Sequence, residues 1–177
     1  MIGVLVSGEG SNLQALLDAG LPVAAVASNR QGVRALERAE AAGVAAAAFL
    51  LVEFADREQR DATMANWLQE QGVRLVVCAG YMHLLTSAFL DRFPNRIVNV
   101  HPSLLPEFPG ARAIDEALAA GVETTGVTVH LVDDGLDTGT VIRQEPVPVE
   151  PAETLPTRIQ AVEHRLLPEV VRTLCAQ

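Results

Sequence analysis

The sequence predicts an α/β fold: a doubly wound, mostly parallel sheet flanked by helices, with a mixed C-terminal part. Three observations carry that expectation. Short aliphatic runs alternate with helix-length segments closed by Gly20, Gly43 and Gly72, the rhythm of parallel strands joined by crossover helices. The run Ile97-Val98-Asn99-Val100-His101 alternates with period two and stops at Pro102, a residue that cannot donate to a sheet ladder. After Gly110 the alternation loosens into two longer strands, and Pro146 and Pro148 in the second suit a sheet edge.

Taken in order, Ile2 to Ser7 reads as the first strand. Ser11 and Gln14 occupy the N-cap and N3 positions of a capping box, which opens a helix running to about Ala19. Val23 to Ser28 is the second strand, Val33 to Ala42 a helix, and Val44 to Phe49 the third strand. A helix from about Asp56 to Gln71 leads to a strand over Val73 to Ala79, and Thr86 caps a short helix through Arg92. The strand Ile97 to His101 comes next, with a short helix over about Ile114 to Ala120 after it. Gly126 to Val132 and Thr140 to Val149 form the last two strands. Thr154 to about Leu174 makes the final helix, with Pro156 in its first turn and Pro168 set to kink it.

For 177 residues one core suffices, so residues 1–177 are expected to form a single domain. The formal charge is −9 and all thirteen basic residues are arginine. An acidic chain argues against a nucleic-acid partner, and the absence of lysine excludes a Walker-type phosphate loop and Schiff-base chemistry. Cys78 and Cys175 lack metal-ligand or redox spacing and read as reduced thiols. The apolar run Val44 to Val52 is too short to span a bilayer, and Met1 to Ser7 carries no basic leader. The expectation is a cytoplasmic protein with no membrane role and no metal.

Three constellations can carry chemistry. Ser7-Gly8-Glu9-Gly10-Ser11-Asn12 lies between a strand and a helix N-terminus, where free amides and the helix dipole favour a phosphate; the same residues serve equally as a tight turn. As a dinucleotide fingerprint the segment fails, because Leu13 stands at the third glycine position and the second strand ends in Ser28-Asn29-Arg30 without an acidic residue. Asn99 and His101 share one face of their strand at the carboxyl edge of the sheet. An amide donor beside an imidazole is the equipment for holding an oxyanion and moving a proton, as acyl transfer requires. Asp133, Asp134 and Asp137 do not have calcium-loop spacing, but with Gly135 and Gly139 they form a loop that can fold back over the sheet edge. A carboxylate there can orient His101 or face solvent. Gly80 to Leu85 offers apolar surface at the same edge, as a pocket wall or as packing, and His130 and His164 read as structural.

With these segments in hand, the chain resembles the phosphoribosylglycinamide formyltransferase family, folate-dependent enzymes of purine biosynthesis, along essentially its whole length. The carriers are Gly8 to Gln14, Ala79-Gly80-Tyr81-Met82, Asn99 to Pro106 with Phe108-Pro109-Gly110, Gly126 to His130, Asp137-Thr138-Gly139, and Gln160 with Glu163-His164. The resemblance implies a Rossmann-like formyltransferase fold and transfer of the formyl group of 10-formyltetrahydrofolate to the amine of 5-phosphoribosylglycinamide, in de novo purine biosynthesis. It implies that Asn99, His101 and Asp137 are catalytic. Gly10, Ser11 and Asn12 would hold the phosphate of glycinamide ribonucleotide, with Gln160 and Glu163 on the same substrate. Arg57, Met82, His83, Leu84, Leu85 and Asn99 would line the folate site.

The partners it implies are small molecules, and it allows a homodimer. Three positions depart from the family pattern: Glu9 where asparagine is common, His83 where arginine is common, and Arg112 where well-known members have histidine. Glu9 must therefore turn away from the phosphate loop, and Arg112 is given no catalytic role. The alternative is a 10-formyltetrahydrofolate hydrolase, which resembles this family in the same asparagine, histidine and aspartate. Methionyl-tRNA formyltransferase fits an acidic chain of this length less well, and a non-catalytic sensor would not need the polar triad.

Overall fold

The computed structural model describes residues 1–176. Its strands form a seven-stranded sheet in the order β3-β2-β1-β4-β5-β6-β7, and the chain divides into two compact units, residues 1–98 and the residues from Asn99 on.

In the first unit β1 (Ile2–Val6), β2 (Val23–Ser28), β3 (Ala45–Ala48) and β4 (Leu75–Cys78) alternate with α1 (Ser11–Asp18), α2 (Arg34–Ala41), α3 (Arg57–Glu70) and α4 (Ser87–Leu90). β1 pairs in parallel with both β2 and β4, and β2 with β3. All residues of β1 and β4 are buried, as expected of parallel strands covered on both faces. The winding direction reverses between β1 and β4, and ligands of open α/β sheets sit at the carboxyl ends of such a pair. Ser7 and Met82 follow those two ends, and the Ser7 hydroxyl accepts the Met82 N–H at 2.9 Å.

Two expected caps do not form. Helix α1 begins at Ser11 with Gly10 at the N-cap and no side-chain cap, because Gln14 instead donates to Asp18 at 2.8 Å and accepts from Arg38 at 3.1 Å. Thr86 does occupy the N-cap of α4, yet its hydroxyl is turned to Asp61 at 3.0 Å. Asp56, by contrast, caps α3 by accepting the Gln59 N–H at 2.8 Å. Cys78 and Cys175 are both free thiols, and burial pushes that of Cys78 up to about 12.

Gly10 has φ +71°, and a Cβ added there would lie 2.6 Å from the Ala35 Cβ and 2.8 Å from its Cα. Gly10→Ala therefore combines left-handed backbone strain with overpacking against α2. We expect a loss of about 2–4 kcal/mol in urea unfolding.

β5 (Ile97–His101) leads into the second unit, which contains α5 (Ala113–Ala120), β6 (Thr124–Leu131), β7 (Val141–Pro148) and α6 (Leu155–Cys175). β6 and β7 are antiparallel, which makes the C-terminal part mixed. β7, with its two prolines, is the edge strand. Helix α6 packs on β6 and β7 through a stripe that includes Leu155, Ile159, Leu166 and Val170, all buried. Pro156 lies in its first turn and Pro168 is buried within it.

Candidate active site

In the first unit the loops after β1, β2 and β4 are tied together by side chains. Ser7, buried after β1, has its hydroxyl 2.6 Å from the Asn29 amide oxygen. Gly10, Ser11 and Asn12 open α1, with Asn12 almost fully buried. Glu9 is turned outward, as required: its carboxylate pairs with Arg38 at 2.8 Å and Arg34 at 3.1 Å, both on α2.

The segment after β4 meets Arg57, whose guanidinium donates to the Leu84 carbonyl. Met82 and Leu84 are exposed at 53% and 47%, whereas Leu85 is buried. The structure thus groups Arg57 with Met82, His83, Leu84 and Leu85. Beneath them lies a pair that sequence reasoning missed, Arg60 and Asp61, each fully buried and 2.6 Å apart. Arg60 reaches His83 Nδ1 at 2.7 Å. Asp61 accepts both the Thr86 N–H and its hydroxyl. Desolvation and then the Arg60 and Arg57 guanidinium groups hold His83 below its ordinary value.

In the second unit Asn99, His101 and Asp137 converge. Asp137 Oδ2 accepts the Gly110 N–H at 2.8 Å and lies 3.4 Å from His101 Nδ1. Its Oδ1 is 3.4 Å from the Asn99 amide nitrogen. The His101 ring donates from Nε2 to the Phe108 carbonyl at 2.8 Å, so an acceptor faces each of its nitrogens. The 133–139 loop folds back tightly, as its glycines predicted. A Cβ on Gly139 would lie 1.8 Å from the Leu131 carbonyl oxygen. Burial works against the charge of Asp137, but the contacts from His130, the Gly110 amide and His101 outweigh it and hold the carboxyl below its ordinary range.

His130, read from sequence as structural, belongs to this cluster. Its Nδ1 donates to the Leu131 carbonyl at 2.8 Å, and its Nε2 lies 3.1 Å from the Asn99 amide nitrogen and 3.5 Å from Asp137 Oδ1. The β6–β7 register slips between Val129 and His130, a bulge of the kind that re-aims side chains beside sites. The sequence signal was present in Thr128 and His130, polar at alternate positions of an apolar strand. Gln160 and Glu163 stand three apart on α6, neighbours on its surface. Arg112 is exposed at the N-cap of α5.

The sequence profile of the formyl transferase family matches residues 1–171. The phosphoribosylglycinamide formyltransferase of Mycobacterium tuberculosis is 45% identical over 97% of this chain and 83% of its own length. The trifunctional purine biosynthetic protein adenosine-3 of Drosophila melanogaster is 41% identical over 98% of this chain, which spans 14% of that protein's length. Among solved structures, glycinamide ribonucleotide transformylase 1 from Symbiobacterium toebii matches with a TM-score of 0.94 and 48% identity, over 97% of this chain and 85% of that one.

Proposed function

The chain belongs to the formyl transferase family, and we propose that it transfers the formyl group of 10-formyltetrahydrofolate to the amine of 5-phosphoribosylglycinamide. The observation that supports this reading is the convergence of Asn99 and His101 on a half-buried carboxylate, Asp137, itself held by the Gly110 amide. Residues 1–177 act as one formyltransferase domain in the cytoplasm, on two small molecules and without a metal, as a monomer or a homodimer.

The amine attacks the formyl carbon directly, and the carbonyl oxygen takes up the negative charge of a tetrahedral intermediate. Asn99 donates to that oxygen. Of its two amide contacts, the 3.4 Å approach to Asp137 is longer than an ordinary N–H···O bond and is the one an oxyanion can replace. A protonated His101, paired with Asp137, sets a positive charge against the oxyanion. Collapse breaks the bond to the folate nitrogen, and the proton lost by the amine passes to that leaving group through water.

Gly10, Ser11 and Asn12 bind the acceptor phosphate at the open end of α1, with Gln160 and Glu163 on the same substrate. Arg57, Asn99 and the Met82 to Leu85 segment serve the folate.

The test is release of tetrahydrofolate from 10-formyltetrahydrofolate with and without glycinamide ribonucleotide. Release only with the acceptor is expected. Release without it would make the protein a hydrolase, and none in either case would remove the activity. Ser11→Asp adds a like charge at the phosphate, so calorimetry should record acceptor affinity falling at least about tenfold while folate affinity stays nearly constant. Equal losses would take the phosphate away from this helix end.

A further inference from the structure

The segment from Gly80 to Thr86 is anchored from below by the Arg60–Asp61 pair. Nε and Nη2 of Arg60 donate to Asp61 Oδ1 at 2.9 and 2.6 Å, and Nη1 is 2.7 Å from His83 Nδ1. The other carboxylate oxygen, Oδ2, takes the Thr86 N–H at 2.8 Å and its hydroxyl at 3.0 Å. One buried ion pair therefore grips the segment at His83 and at Thr86. A guanidinium has donors only and does not deprotonate, so the ring nitrogen facing it must be the bare one. The ring proton is left to Nε2.

That nitrogen lies 3.3 Å from the Asn29 side-chain amide. With a proton there, Asn29 meets the ring through its oxygen only after a half-turn of the amide, which leaves its shape unchanged but exchanges the bond in which that oxygen accepts the Ser7 hydroxyl at 2.6 Å for one in which Ser7 accepts an Asn29 N–H beside that of Met82. A charged ring would set an N–H against the buried guanidinium. The charged groups around His83 are Arg60, Arg57 and Asp61 on α3 and Arg30 after β2, and Tyr81 packs edge-on at 6.0 Å. The one carboxylate among them is already engaged by Arg60 and Thr86.

We propose that Arg60 is a positioning residue: locked by Asp61, it fixes His83 as the neutral ring with its proton on Nε2 and so sets the Met82 to Leu85 segment to receive the folate. This rests on the assignment of that segment to the folate. Arg60 touches neither substrate. It acts through His83, which is exposed where Arg60 is not.

The ring proton is read directly by long-range proton–nitrogen correlation on the 15N-labelled protein. The wild type should show His83 protonated at Nε2 alone and without titration between about pH 5 and 8. A proton on Nδ1, or an ordinary titration, overturns the proposal with no variant needed. In Arg60→Met the ring should titrate, and KM for 10-formyltetrahydrofolate should rise about tenfold, as for one lost hydrogen bond, with KM for the acceptor almost unchanged. An unchanged ring, or equal rises in both constants, overturns it too. Failure of the wild type to transfer formyl would strike the functional reading instead, and the ring proton would still decide the role of Arg60.

Discussion

His101→Ala lowers the turnover of formyl transfer by about a thousandfold, within the range contributed by positioned proton-transfer groups, and adding Asp137→Asn costs less than about a further threefold. The reason is the geometry of the pair. Asp137 faces His101 Nδ1 at 3.4 Å, so most of what the carboxylate supplies is lost once the ring is gone. The measurement is a double-mutant cycle on turnover, and fully additive losses would show that Asp137 does not act through His101.

The same carboxylate makes a pH prediction. Its folded value is depressed, so its contribution to stability is complete above the unfolded carboxylate value of about 3.9 and disappears as pH falls through the lower folded value. The stability gap between wild type and Asp137→Asn should therefore be widest near neutrality and close on acidification. A gap that does not change with pH would contradict the depressed value.

Asn99→Ala should cost a hundredfold to a thousandfold in turnover, about 2.7–4 kcal/mol, which is typical of losing one oxyanion donor. Binding of both substrates should survive. The side chain sits between Asp137 and His130, whose Nε2 lies 3.1 Å from the amide nitrogen and whose ring is fixed by its Nδ1 donating to the Leu131 carbonyl. A rise in KM at unchanged turnover would place Asn99 in ground-state binding instead.

How much of this was legible in the sequence depended on the kind of signal. Strand periodicity put Asn99 and His101 on one face, and the prolines of β7 marked an edge, because period and the missing proline donor are properties of the chain itself. The glycine-bounded carboxylate loop was legible for the same reason. His130 was not, because its membership depends on which strand lies beside β5 and on a slip in the β6–β7 register. The Arg60–Asp61 pair was hidden more deeply. In Arg57-Glu58-Gln59-Arg60-Asp61 every residue is polar, and composition alone reads such a run as a solvated face, whereas helix phase turns only its last two inward. In both failed caps a partner from a distant segment competes, Arg38 for Gln14 and Asp61 for Thr86, and local spacing contains neither.

The outward turn of Glu9 bears on the order in which substitutions can accumulate. Its carboxylate is matched by Arg34 and Arg38, and Arg38 also holds the Glu9 carbonyl at 2.9 Å and the Gln14 amide at 3.1 Å. While that pairing stands, an acidic residue beside a phosphate loop is tolerated. Should Arg38 be lost first, Glu9 would keep only the more exposed Arg34 as a partner and would be freer to turn on the ligand the loop is read to hold; should Glu9 be replaced first by a neutral amide, the later loss of Arg38 would matter far less. The two positions are thus epistatic in magnitude: a lineage carrying Glu9 sheds Arg38 at a greater cost than one that has already shed its acid.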